Sequence, residues 1–197
     1  MNGYDQDFFA VGAKHFEIKG GQIQRKQNIF LLNKARDQFV KSITMIIIIS
    51  AIGSNRIIGD GDQLPWDIPS EYNQFLKHIK GQNVLLGRRS FELFHHDQLT
   101  KRILVVSRTI DTDRAKVFPS VSEALAYSKQ FSEDLFVCGG QAIYEDSIPH
   151  ADYMYLSFIK GEHQGNVFFP EFDEQAWTVE KQEEHEEFIF VIYNRKT

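Results

Sequence analysis

The chain is poor in several things. It has one cysteine, Cys138, in 197 residues. That excludes a disulfide-stapled scaffold and any zinc site built from several cysteines, and it fits a reducing, cytoplasmic setting. No long hydrophobic run is present. Runs such as Met45 to Ile49 are far short of the roughly 18 residues that span a bilayer, so no membrane partner is expected. No apolar signal-peptide core opens the chain. There is no excess of basic charge: the net charge is -5, which argues against general nucleic-acid binding. There is no internal repeat, and no Cys/His/acid cluster calls for a metal.

What remains is ordinary globular stock, 42% hydrophobic and 25% charged, long enough to bury a core without staples. The charge is uneven. Residues 1–44 sum to +3 and residues 45–197 to -8. The first stretch, with Gly20-Gly21 and scattered glutamines, reads as an extension, disordered or loosely docked. Within it 29–43 has amphipathic helical spacing. Met45 also stands where a natural start could lie.

From Met45 strands alternate with helices. Met45–Ala51 is a β-branched run suited to a strand buried on both faces. Residues 53–69 read as loop. Helices are expected at 71–79, 90–94, 122–129 and 141–147, and strands at 83–86, 103–106, 134–138 and 153–159. Residues 177–183 and 187–193 read as an antiparallel pair. The class is therefore α/β: a mixed, mostly parallel central sheet, helices on both faces, and a C-terminal antiparallel hairpin.

Four segments carry candidate chemistry. In the first, Glu71 opens a helix after Pro69-Ser70, and Phe75 lies four residues on, on the same face. A carboxylate beside a ring can grip a flat ligand through two parallel N–H bonds. An acid in a first helical turn is more often a surface dipole partner. In the second, the strand ending at Gly87 runs into Arg88, Arg89 and Ser90, where Ser90 is placed to cap a helix and the arginines to meet phosphate. In the third, Ser107 and Arg108 end an apolar strand, where open α/β sheets collect ligands. In the fourth, Gly139-Gly140 joins a strand to a helix and lets the backbone approach a ligand closely. Each alone is weak.

In order and spacing they are not. MIIIISAIGSNRIIG, LPW-x-IP-x-E, LLGRRSFE, LVVSRT, VCGGQAIYE and YMYLSFI followed by GNVFFPEF make residues 45–197 resemble the dihydrofolate reductase family. The resemblance implies NADPH as cofactor, dihydrofolate as substrate, a monomer, and the family's fold. It places Glu71 as the active-site carboxylate on the pterin N3 edge, Trp66 as holder of a water near it, and Ser157 as its hydroxyl partner. Ala51, Ile58 and Phe75 would contact the pterin. Leu64 would lie in the loop closing on the nicotinamide, with Cys138 and Tyr144 lining that end. Gly87, Arg88, Arg89, Ser90, Ser107 and Arg108 would hold the adenosine phosphates. Gly139, Gly140, Gln141, Ala142 and Ile143 would complete the cofactor site, with a cis bond between the glycines.

Some positions depart from the pattern. The family's arginine on the substrate's glutamate tail falls on Arg102 when counted from Leu99, and on Lys101 when counted from Ser107. The leucine spacing favours Arg102. Leu76 stands at an often basic position, and Asn166 where a loop aspartate is common. Two other readings compete: a related NADPH reductase acting on a pyrimidine or non-folate pterin, and a nucleotide-binding module without turnover. Burial against Phe75 is expected to raise the Glu71 pKa.

Overall fold

A computed structural model describes residues 44–196. The extension and its amphipathic stretch at 29–43 lie outside the described residues, save Thr44. At the boundary the Thr44 hydroxyl donates to the Phe131 carbonyl at 2.6 Å, and the Met45 N–H donates to Asp134 at 3.0 Å.

The strands are β1 (Ile46–Ile52), β2 (Ile57–Gly59), β3 (Asn83–Gly87), β4 (Arg102–Val106), β5 (Lys116–Phe118), β6 (Leu135–Val137), β7 (Tyr153–Ile159), β8 (Val167–Phe168), β9 (Trp177–Glu184) and β10 (Phe188–Arg195). The helices are α1 (Pro69–Ile79), α2 (Arg88–Leu93), α3 (Val121–Ser128) and α4 (Gln141–Ser147). Eight strands form one sheet in the order β5-β4-β3-β6-β1-β7-β10-β9, while β2 and β8 pair separately. Pairing is parallel from β5 across to β7 and antiparallel for β7/β10 and β10/β9.

The isoleucine run explains the centre. Ile46 to Ile49 are all buried because β1 is covered on both faces. Alternate residues feed two cores. Ile46, Ile48, Leu85 and Leu104 pack with Val121, Leu125 and Ile143 of α3 and α4. Ile47, Ile49, Val84 and Ile103 pack with Ile79 and Phe91 of α1 and α2. This two-face partition decides which neighbour on a strand reaches the cleft.

The structure corrects some boundaries. The segment at 53–69 holds a short 3-10 turn and β2, both absent from the sequence reading. β5 and β8 are too short, at three and two residues, to show a period. Helix α2 starts at Arg88 with Gly87 at its cap position and no side-chain cap, so Ser90 lies inside the helix and does not cap it.

Candidate functional site

A cleft of about 840 Å³ opens at the carboxyl ends of β1, β3, β4 and β6. That volume lies in the range of ligand clefts, ~300–1,000 Å³. Its walls carry Ala51, Ile58, Leu64, Glu71, Phe75, Gly87, Arg88, Arg89, Ser90 and the whole segment Cys138 to Tyr144. Trp66, Ser157, Ser107, Arg108, Lys101 and Arg102 are not among the lining residues.

Glu71 sits in the first turn of α1, which Pro69 starts at a position where no N–H is needed. The helix dipole favours its charge, but the side chain is only 8% exposed. Burial dominates and raises its pKa, while the Ser157 hydroxyl pulls the other way. Ser157 reaches the acid from β7, where it pairs with Ala51 of β1. Trp66 packs edge-on to His163 at 5.2 Å, and its indole N–H is buried without a partner. A buried donor of this kind calls for an ordered water.

The glycine pair is held from beneath. The Gly87 N–H donates to the Gly139 carbonyl at 2.7 Å, and the Cys138 N–H donates to Leu85 at 2.8 Å. The Gly139–Gly140 peptide is cis, and Gly139 has φ +106°. A Cβ at Gly139 would meet the Tyr144 hydroxyl oxygen at 3.1 Å. The Tyr144 hydroxyl donates to the Ile49 carbonyl at 2.8 Å. Burial raises the pKa of both Tyr144 and Cys138, so both stay neutral.

The arginines of the cleft stand at its rim. Arg88 pairs with Glu92 at 2.8 Å, and Arg89 with Asp62 at 3.4 Å. The loop carrying Asp62 is tied down at Gly61, whose N–H donates to the Asn166 side-chain oxygen at 2.9 Å. Asn166 therefore accepts this bond with a neutral carbonyl. Ser107 spends its hydroxyl on the N–H groups of Thr109 and Ile110, both at 3.1 Å. Arg108 is exposed.

The structure does not bring Arg102 to the cleft. Arg102 shares its parity with Leu104, whose face packs on α3 and α4. Its guanidinium donates to Asn83 at 3.2 Å and Glu133 at 3.1 Å and lies 3.7 Å over the Phe131 ring. It also stands four residues before Val106, which lines the cleft, about 13 Å away at ~3.3 Å per residue. Lys101 lies 4.0 Å from Glu133. Among the lining residues that sequence reasoning passed over are Asp62, Tyr72, Leu93 and Phe94. Tyr72 carried one readable signal: it is three residues from Phe75, on a shared helix face.

The family model described as Dihydrofolate reductase matches residues 45–195. The dihydrofolate reductase of Bacillus subtilis (strain 168) is 31% identical over 161 residues, covering 77% of this chain and 95% of the relative. Dihydrofolate reductase HdrB of Haloferax volcanii is 28% identical, covering 76% of this chain and 83% of the relative. A solved dihydrofolate reductase from Enterococcus faecalis, complexed with NADP(H) and RAB-propyl, superposes with a TM-score of 0.71 at 24% identity, over 78% of this chain and 97% of that one. This last likeness bears on the fold alone.

Proposed function

The chain belongs to the dihydrofolate reductase family, and on that premise we propose that it reduces 7,8-dihydrofolate to 5,6,7,8-tetrahydrofolate with NADPH. The observation that carries the reading is a single buried carboxylate, Glu71, in the same cleft as the Gly139–Gly140 turn and the Arg88-Arg89 pair.

The residues present fit the cofactor. Gly139 and Gly140 carry no side chain to cover the backbone beside the α4 start, and Gly139 packs too tightly on Tyr144 to take one easily. Arg88 and Arg89 offer the charge that phosphates need, and a 2′-phosphate favours NADPH over NADH. When bound, NADPH supplies the hydride. The chain's own work is positioning. Glu71 accepts two N–H bonds from the N3 and 2-amino edge of the pterin, which fixes the ring beside Phe75. Leu64, 53% exposed on the loop above, covers the reacting carbons and excludes water. The proton for N5 comes by water, because Glu71 faces the other edge of the ring. The unpartnered Trp66 N–H is the donor for a separate ordered water, on the Glu71 side of the site.

A second reading has one observation in its favour. With Arg102 bound elsewhere, the cations that line the cleft among the described residues are Arg88 and Arg89 at the start of α2, a lining that suits a pterin without a tail. For the finer points, the sequence argument supports a monomer acting in the cytoplasm without nucleic acid. Among the described residues no helix is long and apolar enough to cross a membrane. NADPH oxidation in the presence of dihydrofolate tests the function directly, and absence of turnover would remove it.

A further inference from the structure

The charged residues lining the cleft are Asp62, Glu71, Arg88 and Arg89, and both arginines stand at the start of α2. The other end is walled by Tyr72, Phe75, Leu93 and Phe94. Dihydrofolate bears a tail with two carboxylates, and that tail must leave the cleft past these rings. The nearby cations are spoken for. Arg102 serves Asn83 and Glu133. Arg114 holds Asp97 through two bonds, at 2.7 and 2.8 Å, and reaches the Phe94 carbonyl at 2.8 Å.

At this end the lining residue Tyr72 makes a hydrogen bond through its hydroxyl to His96 Nε2, which stands just behind the lining. Tyr72 follows Glu71 directly on α1 and stacks on Phe75 at 6.0 Å between ring centroids. His96 follows α2 and meets Phe94 edge-on at 5.6 Å. The pair thus ties together the two elements that wall the cleft. Arg114 braces it by fixing Asp97, the next residue, and its carboxylate is turned to the guanidinium and not to the imidazole.

We propose that Tyr72 and His96 are the recognition element for the substrate tail, His96 exchanging the tyrosine hydroxyl for a tail carboxylate. The proposal rests on the dihydrofolate reading above. An imidazole Nε2–H donates to a carboxylate in the appropriate neutral tautomer and in the charged form alike. The released tyrosine hydroxyl turns to water at no cost in buried polarity, since Tyr72 is 43% exposed.

The experiment measures NADPH oxidation by the full chain at saturating NADPH. One substrate is dihydrofolate, the other a dihydropterin carrying a methyl group in place of the tail. His96→Ala is expected to raise KM for dihydrofolate about tenfold, the size of one partly exposed charge-assisted bond. It should leave kcat and the tail-less substrate unchanged, which also reports that the variant folds. His96→Gln, which keeps an N–H donor, should recover part of the loss. A wild-type ratio of the two KM values in His96→Ala overturns the tail assignment, as does a tail-selective loss in Lys101→Ala instead. If the unaltered chain turns over neither substrate, the functional reading falls with it. If it turns over both and His96→Ala is silent, only the tail assignment falls.

Discussion

At the floor of the cleft, Glu71, Tyr144 and Cys138 are withdrawn from water, and each is pushed toward its uncharged form. At the rim, Arg88 and Arg89 keep 46% and 65% of their side chains exposed and are matched by Glu92 and Asp62. The floor groups come from the first turn of α1, the end of β6 and α4, each buried against the sheet, so they are fixed before any ligand arrives. The rim is made of exposed pairs whose partners an incoming phosphate can replace at little cost. On the proposed function, geometry at the floor would serve the reaction and exchangeable charge at the rim would serve binding. Changes at the floor should therefore act on turnover or folding, and changes at the rim on affinity.

The sharpest way to break this contrast is Glu71→Gln. Steady-state rates should fall by about 10²-fold at neutral pH, the cost of misplacing the ring that Glu71 positions. Partial recovery is expected in acid, where substrate arrives protonated. Rates near the unaltered level would take the floor out of the mechanism.

Gly139→Ala should come next. A side chain there must adopt φ +106° and press on Tyr144, at about 1–3 kcal/mol for the backbone alone. The melting temperature and NADPH affinity should drop together. A variant as stable as the parent would mean that the glycine turn is looser than its contacts show.

At the rim, replacing Arg88 and Arg89 together by alanine should weaken NADPH binding by about tenfold or more, each charge-assisted bond being worth ~1.5–3 kcal/mol before solvent screening. NADH affinity and kcat should move much less. Equal losses for the two cofactors would show that these arginines do not read the 2′-phosphate.

A smaller effect sharpens the contrast from the stability side. The Glu71 pKa is raised in the folded state, so folding favours its protonated form. That contribution is complete below the unfolded value near 4.5 and is lost as pH rises through the folded value. Glu71→Gln should therefore melt higher than the parent at neutral pH, and the gap should close in acid. A lower melting point at neutral pH would contradict the burial argument. The smallest effect belongs to residues 1–43. The sheet begins at Ile46, so their deletion should leave turnover unchanged, and loss of activity on deletion would tie the extension to the enzyme.

Legibility followed physical range. The β1 run could be read because a strand covered on both faces needs apolar residues without a break. Glu71 and Phe75 could be read because helical spacing alone puts them on one face. Arg102 could not be placed. Leucine spacing favoured it, but the register of β4 against β3 turns it to the face of α3 and α4. Nor does the linear order contain the Asp62–Arg89 pair, formed across 27 residues, or Tyr72–His96, separated by 24.

The sequence by itself determined the alternation of strands and helices, the C-terminal hairpin and the identity of the buried acid. Those follow from local periodicity, backbone preference and residue chemistry, which act over a few positions. Folding settles which cations face the cleft, where β2, β5 and β8 form, and which aromatic side chains line it. Those depend on strand register and loop packing, which bring distant residues together by burying shared surface and carry no mark in the order of the residues themselves.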